Sequence, residues 1–262
     1  MLLAFFALVS CSHDDAAAPT FGSGALQKVV FYRNGSKETH WVIENKLLTK
    51  ITLADGTLIE TFVYDKLNRV VQDKKYTNGL LTGTDVITYN PDSTIKTINN
   101  LPYTFDAGTR TYTYTYGSDF TINCEVNKDF LAVNFTRLGS NPGEYQMTYI
   151  NDNMTSYEKL SGGTTEEVKN YYFDAGFGSN PVYDAVLPIA RVKSLTDPSF
   201  FTDCQVSKNV ANGFDKGSGY PLHYNYGAIP DIEGKLFQIG VEVMDSNGNN
   251  VDFYSFADYY YL

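Results

Sequence analysis

From Gln27 onward the chain alternates short apolar runs with turn residues, at roughly the 8 to 12 residue spacing of antiparallel β structure. In Leu236-Phe237-Gln238-Ile239-Gly240-Val241-Glu242-Val243, Phe237, Ile239, Val241 and Val243 share one face and Gln238 and Glu242 the other, so one wet face is expected. Thr109 to Tyr116 sends Tyr112, Tyr114 and Tyr116 to one side and threonines to the other, and its buried side is open because tyrosine serves either. Asn34-Gly35, Asp55-Gly56, Asn78-Gly79, Pro91-Asp92-Ser93 and Asn247-Gly248-Asn249 provide the positive φ that tight hairpin turns require. No segment keeps a long 3.6-residue period, and the connections are too short for the helical crossovers of a parallel sheet.

The predicted fold class is therefore all-β: a predominantly antiparallel meander of repeated hairpins, forming a large curved sheet or barrel-like wrap, with little helix. One domain is expected over 26–262. Asn180-Pro181, Pro188 and Asp197-Pro198 mark a long irregular excursion at about 174–219, with one short helix expected near Asp184 to Ser194. Long excursions in compact domains are often functional, which makes this one the place to look for the wall of a site.

Composition agrees with strand. Aromatics make up 15% of the chain, 21 Tyr and 17 Phe against the single Trp41, and 43% hydrophobic content is enough for a substantial core. The net charge of -10, with no clustered Lys or Arg, excludes the basic stripe of a nucleic-acid binder, so no nucleic acid partner is expected.

Leu2 to Val9 is an apolar run too short to span a bilayer, and it reads as a secretory segment rather than part of the fold. Its end, Leu8-Val9-Ser10-Cys11, resembles the lipobox of bacterial lipoproteins. The resemblance implies a signal peptide over 1–10, lipidation of Cys11, and a membrane attachment through that lipid. A buried N-terminal strand with an incidental cysteine is the alternative. No Lys or Arg precedes the apolar run, which points to a start codon further upstream. Residues 11–25 read as a flexible tether, since Ala16 to Gly24 lacks large side chains to pack. Ser12-His13-Asp14-Asp15 resembles the surface-export signal of Bacteroidota lipoproteins, which implies an outer-membrane location with the cell surface favoured over the periplasmic face.

Cys124 and Cys204 remain. Alternation in Phe120-Thr121-Ile122-Asn123-Cys124-Glu125-Val126 places Cys124 on the apolar, core-facing row. A disulfide would close a loop of about 80 residues, worth roughly 4 to 5 kcal/mol. Two separate buried thiols are an equal alternative.

One hairpin unit recurs. Thr61 to Val71 is followed by Val86 to Ile95 and Met147 to Ser156, each with an aromatic near the strand end, a polar turn, and an apolar residue resuming the strand. Tyr64-Asp65-Lys66-Leu67-Asn68-Arg69-Val70 resembles the YD repeat, with Asn68 where Gly is usual; Asn tolerates the left-handed backbone. Together with the lipobox, these segments resemble uncharacterised Bacteroidota cell-envelope lipoproteins with degenerate YD-like repeats. That resemblance implies successive hairpins and assigns no catalytic residue.

No catalytic set, P-loop or dinucleotide fingerprint is recognisable, so no enzyme and no cofactor are expected. His13, His40 and His223 have no metal-ligand spacing. Asp245 to Asp252 departs from a calcium loop, with Phe256 where the bidentate Glu belongs. Asp92-Ser93-Thr94 resembles the acceptor triplet for O-glycosylation of exported Bacteroidota proteins, with Ser93 the acceptor. The reading is a lipid-anchored binding or scaffolding module with a glycan or protein ligand. The rival is a glycan-binding or glycoside-processing protein of a polysaccharide-uptake system, to be recognised by carboxylates converging beside aromatic rings.

Overall fold

The computed structural model describes residues 25–33, 36–140, 142–173, 179–203, 207, 211, 213–215, 223–230, 236–244 and 250–261. The first strands are β1 (Leu26–Arg33), β2 (Ser36–Glu44), β3 (Leu47–Leu53), β4 (Leu58–Tyr64), β5 (Val70–Thr77), β6 (Leu80–Tyr89), β7 (Ile95–Ile98), β8 (Leu101–Pro102), β9 (Thr104–Asp106) and β10 (Thr111–Tyr116). They continue as β11 (Phe120–Val126), β12 (Ala132–Gly139), β13 (Gly143–Ile150), β14 (Asn153–Ser161) and β15 (Thr164–Tyr172). Helix α1 (Tyr183–Thr196) follows, then a 3-10 turn (Pro198–Asp203), β16 (Gly213–Asp215), β17 (His223–Pro230), β18 (Leu236–Met244) and β19 (Asn250–Tyr261). The expected all-β antiparallel meander with little helix is what the chain forms, and α1 covers the span where a helix was expected.

Followed by register, the ladder runs from β9 through β10, β11 and β12 and on in chain order to β19. It then crosses to β1 and continues to β8, always antiparallel. At β6 it passes from the large sheet to a small one, because Leu80 to Val86 pair with β5 whereas Ile87 to Tyr89 pair with β7. β8 and β9 are two parts of one extended run. Leu101 and Pro102 face β7, Thr104 to Asp106 face β10, and Tyr103 N donates to Lys96 O at 2.9 Å. The ring thereby closes on itself. Counting β8 and β9 as one of the 19 strands among the described residues leaves an even number, which is what allows β1 and β19 to meet antiparallel.

Alternation fixes the two faces of the wall. Glu60 and Phe62 on β4, Tyr112 and Tyr114 on β10, and Ile122, Cys124 and Val126 on β11 are buried inside. The outer row is polar: Thr88 meets Thr97 at 2.6 Å, Thr113 meets Asn123 at 3.1 Å, and Thr115 meets Thr121 at 3.2 Å.

A barrel of this strand number is wider than opposed side chains can fill. Helix α1 fills it. Ala185, Val186, Ile189, Ala190, Val192, Lys193, Ser194 and Leu195 are all buried, so the helix is covered on nearly every side, as a helix inside a core must be. It packs against β3 and β5 in one direction and β11 and β12 in another. Ser194 Oγ accepts from Ala132 N at 2.9 Å and Cys124 Sγ donates to Ser194 O at 3.2 Å, which ties the helix to the wall. Trp41 is core as well, set edge-on to Phe31 at 4.8 Å and stacked on Phe200 at 6.4 Å.

Candidate functional site

The recurrent hairpin turn builds the site. In four turns the first residue's N–H bonds the carbonyl four residues on, and the N–H of the fourth residue bonds back to the first carbonyl. These are Leu53 to Thr57, Asp65 to Arg69, Asn90 to Thr94 and Asn127 to Leu131. The fourth residue is left-handed each time: Gly56 at φ +88, Asn68 at +59, Ser93 at +69 and Phe130 at +63. Asp65 organises its own copy, accepting from Leu67 N at 2.8 Å and Arg69 N at 3.0 Å, with Arg69 Nε at 2.8 Å. Burial opposes ionisation there, yet Arg69 and the turn amides hold the Asp65 carboxyl below the usual carboxylate range. Tyr64 serves packing, its hydroxyl donating to Leu48 O at 2.5 Å.

Three of these turns, with α1, line a pocket of about 120 Å³, open at its mouth. Arg69 and Asn68 come from the first, Ser93 from the second, Lys128 and Phe130 from the third, and Pro188 and Arg191 from the helix, with Tyr89 and Tyr112 between them. Three cations thus meet three rings on a chain of net charge -10. Arg69 lies 4.4 Å from the Tyr89 ring centre. Lys128 pairs with Asp152 at 2.7 Å and Asp129 at 2.9 Å, and Arg191 Nε donates to Asp129 O at 2.9 Å. Phe130 is the exceptional member: a bulky residue held left-handed costs roughly 1 to 2 kcal/mol, and such strain concentrates at binding sites. Its ring sits 5.6 Å from Phe105 and 6.5 Å from Tyr112.

A second polar group lies in the interior. Lys193 on α1, 2% exposed, reaches Glu60 Oε1 of β4 at 2.5 Å and Asp73 Oδ2 of β5 at 3.0 Å. Burial pushes the Glu60 carboxyl up to about 7; the neighbouring Asp73 adds to this and Lys193 opposes it. Burial works against the Lys193 charge, but the two carboxylates outweigh it and raise the lysine above its ordinary value.

Of the residues singled out in the sequence, Ser93 lies exposed on the pocket rim, where Arg69 Nη1 donates to its Oγ at 3.3 Å. Cys124 is a buried thiol, with burial pushing its ionisation up. Cys204, Cys11, His13 and Asp245 to Asn249 lie outside the described residues. Glu166 pairs with Lys159 at 2.6 Å and Glu167 with Lys169 at 3.6 Å. No group of three His, Cys, Asp or Glu fit to hold a metal occurs among the described residues.

Sequence reasoning missed Glu60, Asp73 and Lys193. The available signal was charge on an apolar row: Glu60 shares a face with Phe62, and Lys193 stands among Ile189, Ala190, Val192 and Leu195.

No family model matches the chain, and no curated protein does. Among solved structures it is similar to a porin-like protein from Bacteroides uniformis ATCC 8492, with 10% identity over 94% of this chain and 98% of that one at a TM-score of 0.36. A porin-like protein from Bacteroides vulgatus ATCC 8482 has 12% identity over 74% and 99%, at a TM-score of 0.26. At these scores the likeness carries no argument about function.

Proposed function

We propose that the protein is a lipid-anchored cell-envelope module that binds an acidic glycan at the barrel end where the repeated turns converge. The observation that carries this is the pocket itself, in which Arg69, Lys128 and Arg191 surround Tyr89, Tyr112 and Phe130. Flat rings stack on the faces of sugar rings while cations meet a carboxylate or sulfate substituent, and in a chain of net charge -10 that cationic pocket is the local exception. The anchor rests on the likeness of Leu8 to Cys11 to a lipobox, which implies an outer-membrane lipoprotein displayed at the cell surface. A binding role without catalysis accords with where the carboxylates lie: Asp65 and Asp129 at the pocket are engaged with Arg69 and Lys128, and Glu60 and Asp73 converge on Lys193 in the interior.

The test is a screen of neutral glycans, acidic glycans and candidate envelope proteins against the full chain. An acidic glycan should bind, and the double variant Lys128→Gln/Arg191→Gln should bind at least about tenfold more weakly while melting as the parent does, since each lost charged contact costs about 1.5 to 3 kcal/mol. Binding only of neutral glycans, or equal binding by the double variant, would remove the pocket from the account.

A further inference from the structure

We propose that Lys193 and Asp73 condense into a side-chain amide that staples helix α1 to strand β5, with Glu60 as the proton carrier. The proposal is independent of the binding role of the pocket. Its basis is a Lys, Asp and Glu brought together from three elements and sealed from water. The Lys193 side chain is 3% exposed, that of Asp73 1% and that of Glu60 12%. Lys193 Nζ touches both carboxyls and lies 6.0 Å from the Phe200 ring centre. Phe62 is the register partner of Asp73, and Asp73 Oδ1 is buried with no hydrogen-bond partner.

An ordinary structural ion pair does not need this arrangement. Two carboxyls on one ammonium leave an excess negative charge in an apolar interior, which costs free energy. Burial resolves the charge by keeping a proton on Glu60, which makes the cluster neutral as a whole. In that neutral form, transfer of one proton from Nζ to Asp73 Oδ2 across the 3.0 Å contact leaves a free amine facing a carboxylic acid.

The nitrogen lone pair then attacks Asp73 Cγ and the Nζ–Cγ bond forms. Glu60 accepts a proton from the nitrogen through one oxygen and gives its own proton to the departing hydroxyl. The Cγ–O bond breaks, one water leaves, and Glu60 ends in the protonation state in which it began. Nothing is oxidised or reduced, and no co-reactant is consumed. In water the same condensation is disfavoured because ammonium and carboxylate are well solvated. Here that solvation is already lost on folding, at several kcal/mol per ion, and the reacting groups are held at an effective concentration no bimolecular reaction reaches. The product replaces a buried ion pair with a neutral amide across a sequence separation of 120 residues.

The experiment is a denaturing peptide map of the full-length protein purified after folding. The peptides carrying Asp73 and Lys193 should be recovered as one branched species, lighter than their sum by one water. Lys193→Met removes the nucleophile and should give the Asp73 peptide unmodified. If that variant does not fold, Glu60→Gln keeps the volume but cannot relay the proton, and its two peptides should be recovered apart. Separate Asp73 and Lys193 peptides from the parent protein would overturn the cross-link. A Glu60→Gln variant that condenses as completely as the parent would overturn the role of Glu60.

Discussion

Replacing Glu60 by glutamine keeps the size of the side chain and removes its titration; it also removes the relay for the Lys193–Asp73 amide, a change that carries no slope with pH near neutrality. The carboxyl stands at about 7 in the folded protein against an ordinary 4.5, with burial the leading cause. A carboxyl whose folded value is raised contributes stability that is fully present below the unfolded value and is lost as pH rises through the folded one. The folded chain holds a proton that the unfolded chain has released, so stability falls from about pH 4.5 and levels off above about pH 7. At roughly 1.4 kcal/mol per pH unit the total is about 3 kcal/mol. Glu60 is only 9% exposed, so solvent screening takes little from that figure. For a chain of this size it corresponds to a fall of roughly 6 to 12 °C in Tm. The other groups in play act elsewhere. Asp65, Asp85, Asp92 and Asp106 are held below the usual carboxylate range, so their contribution is present above it and lost only as pH falls further. Lys193, as a free amine, is raised above the ordinary lysine value and matters only in strong alkali, and as an amide it does not titrate. The assay is thermal unfolding of parent and Glu60→Gln at half-unit steps from pH 5 to 8, comparing slopes rather than midpoints. The slope survives condensation of Lys193, since burial rather than the lysine is what raises Glu60. Parallel Tm curves for the two proteins would refute the reasoning.

Three further perturbations follow from the packing. Ser194→Ala strands the buried N–H of Ala132 and should lower the unfolding free energy in urea by about 1 to 3 kcal/mol, with the circular dichroism of the folded state unchanged. Gly139→Ala would put a methyl 2.2 Å from Asp119 O at a φ of +96°, so the β11 to β12 pairing must shift; a loss of roughly 2 to 4 kcal/mol is expected, and an unaltered urea midpoint would contradict it. Deleting Tyr259 to Leu262 removes the residues that pair with Leu26, Lys28 and Val29 of β1 and with Leu236 and Phe237 of β18, so the ring opens at its closure; a melting temperature equal to that of the parent would argue against a closed barrel.

The wall of the barrel was legible because its rule is local. A period of two, punctuated by Asp-Gly, Asn-Gly and the YD-like turn, specifies hairpins one at a time, and Asn68 proved to be left-handed, as its place in the motif required. The tyrosines of β10 were ambiguous for the same local reason, and the ring decides them: Tyr112 and Tyr114 face in, while Thr113 and Thr115 face out. The closure was not legible, since the partner of β1 is some 230 residues away and nothing in either strand's own pattern names the other. The same holds for the interior cluster, whose members are separated by 120 and 133 residues. The pocket was half visible. Ser93 and Arg69 were marked by their turns, whereas Phe130 in a left-handed conformation breaks the local preference that sequence reading depends on.

The polarity of the wall decides how such a barrel can meet a membrane. A strand barrel that spans a bilayer carries an apolar band outward and a polar lumen inward. Over its described residues this one has an apolar lumen, with Trp41, Phe62, Tyr157, Met147 and Phe201 against a largely apolar helix, while threonine pairs lie on its outer rows. Leu80, Leu81, Leu138 and Ile150 are exposed at strand ends, and Val63 and Val86 are exposed on the outer row of β4 and β6. In the proposed reading, membrane attachment falls to the N-terminal lipid at Cys11. Cys11→Ala should therefore release the intact protein into the soluble envelope fraction, and a variant that still sediments with membranes after a high-salt wash would count against that division of labour.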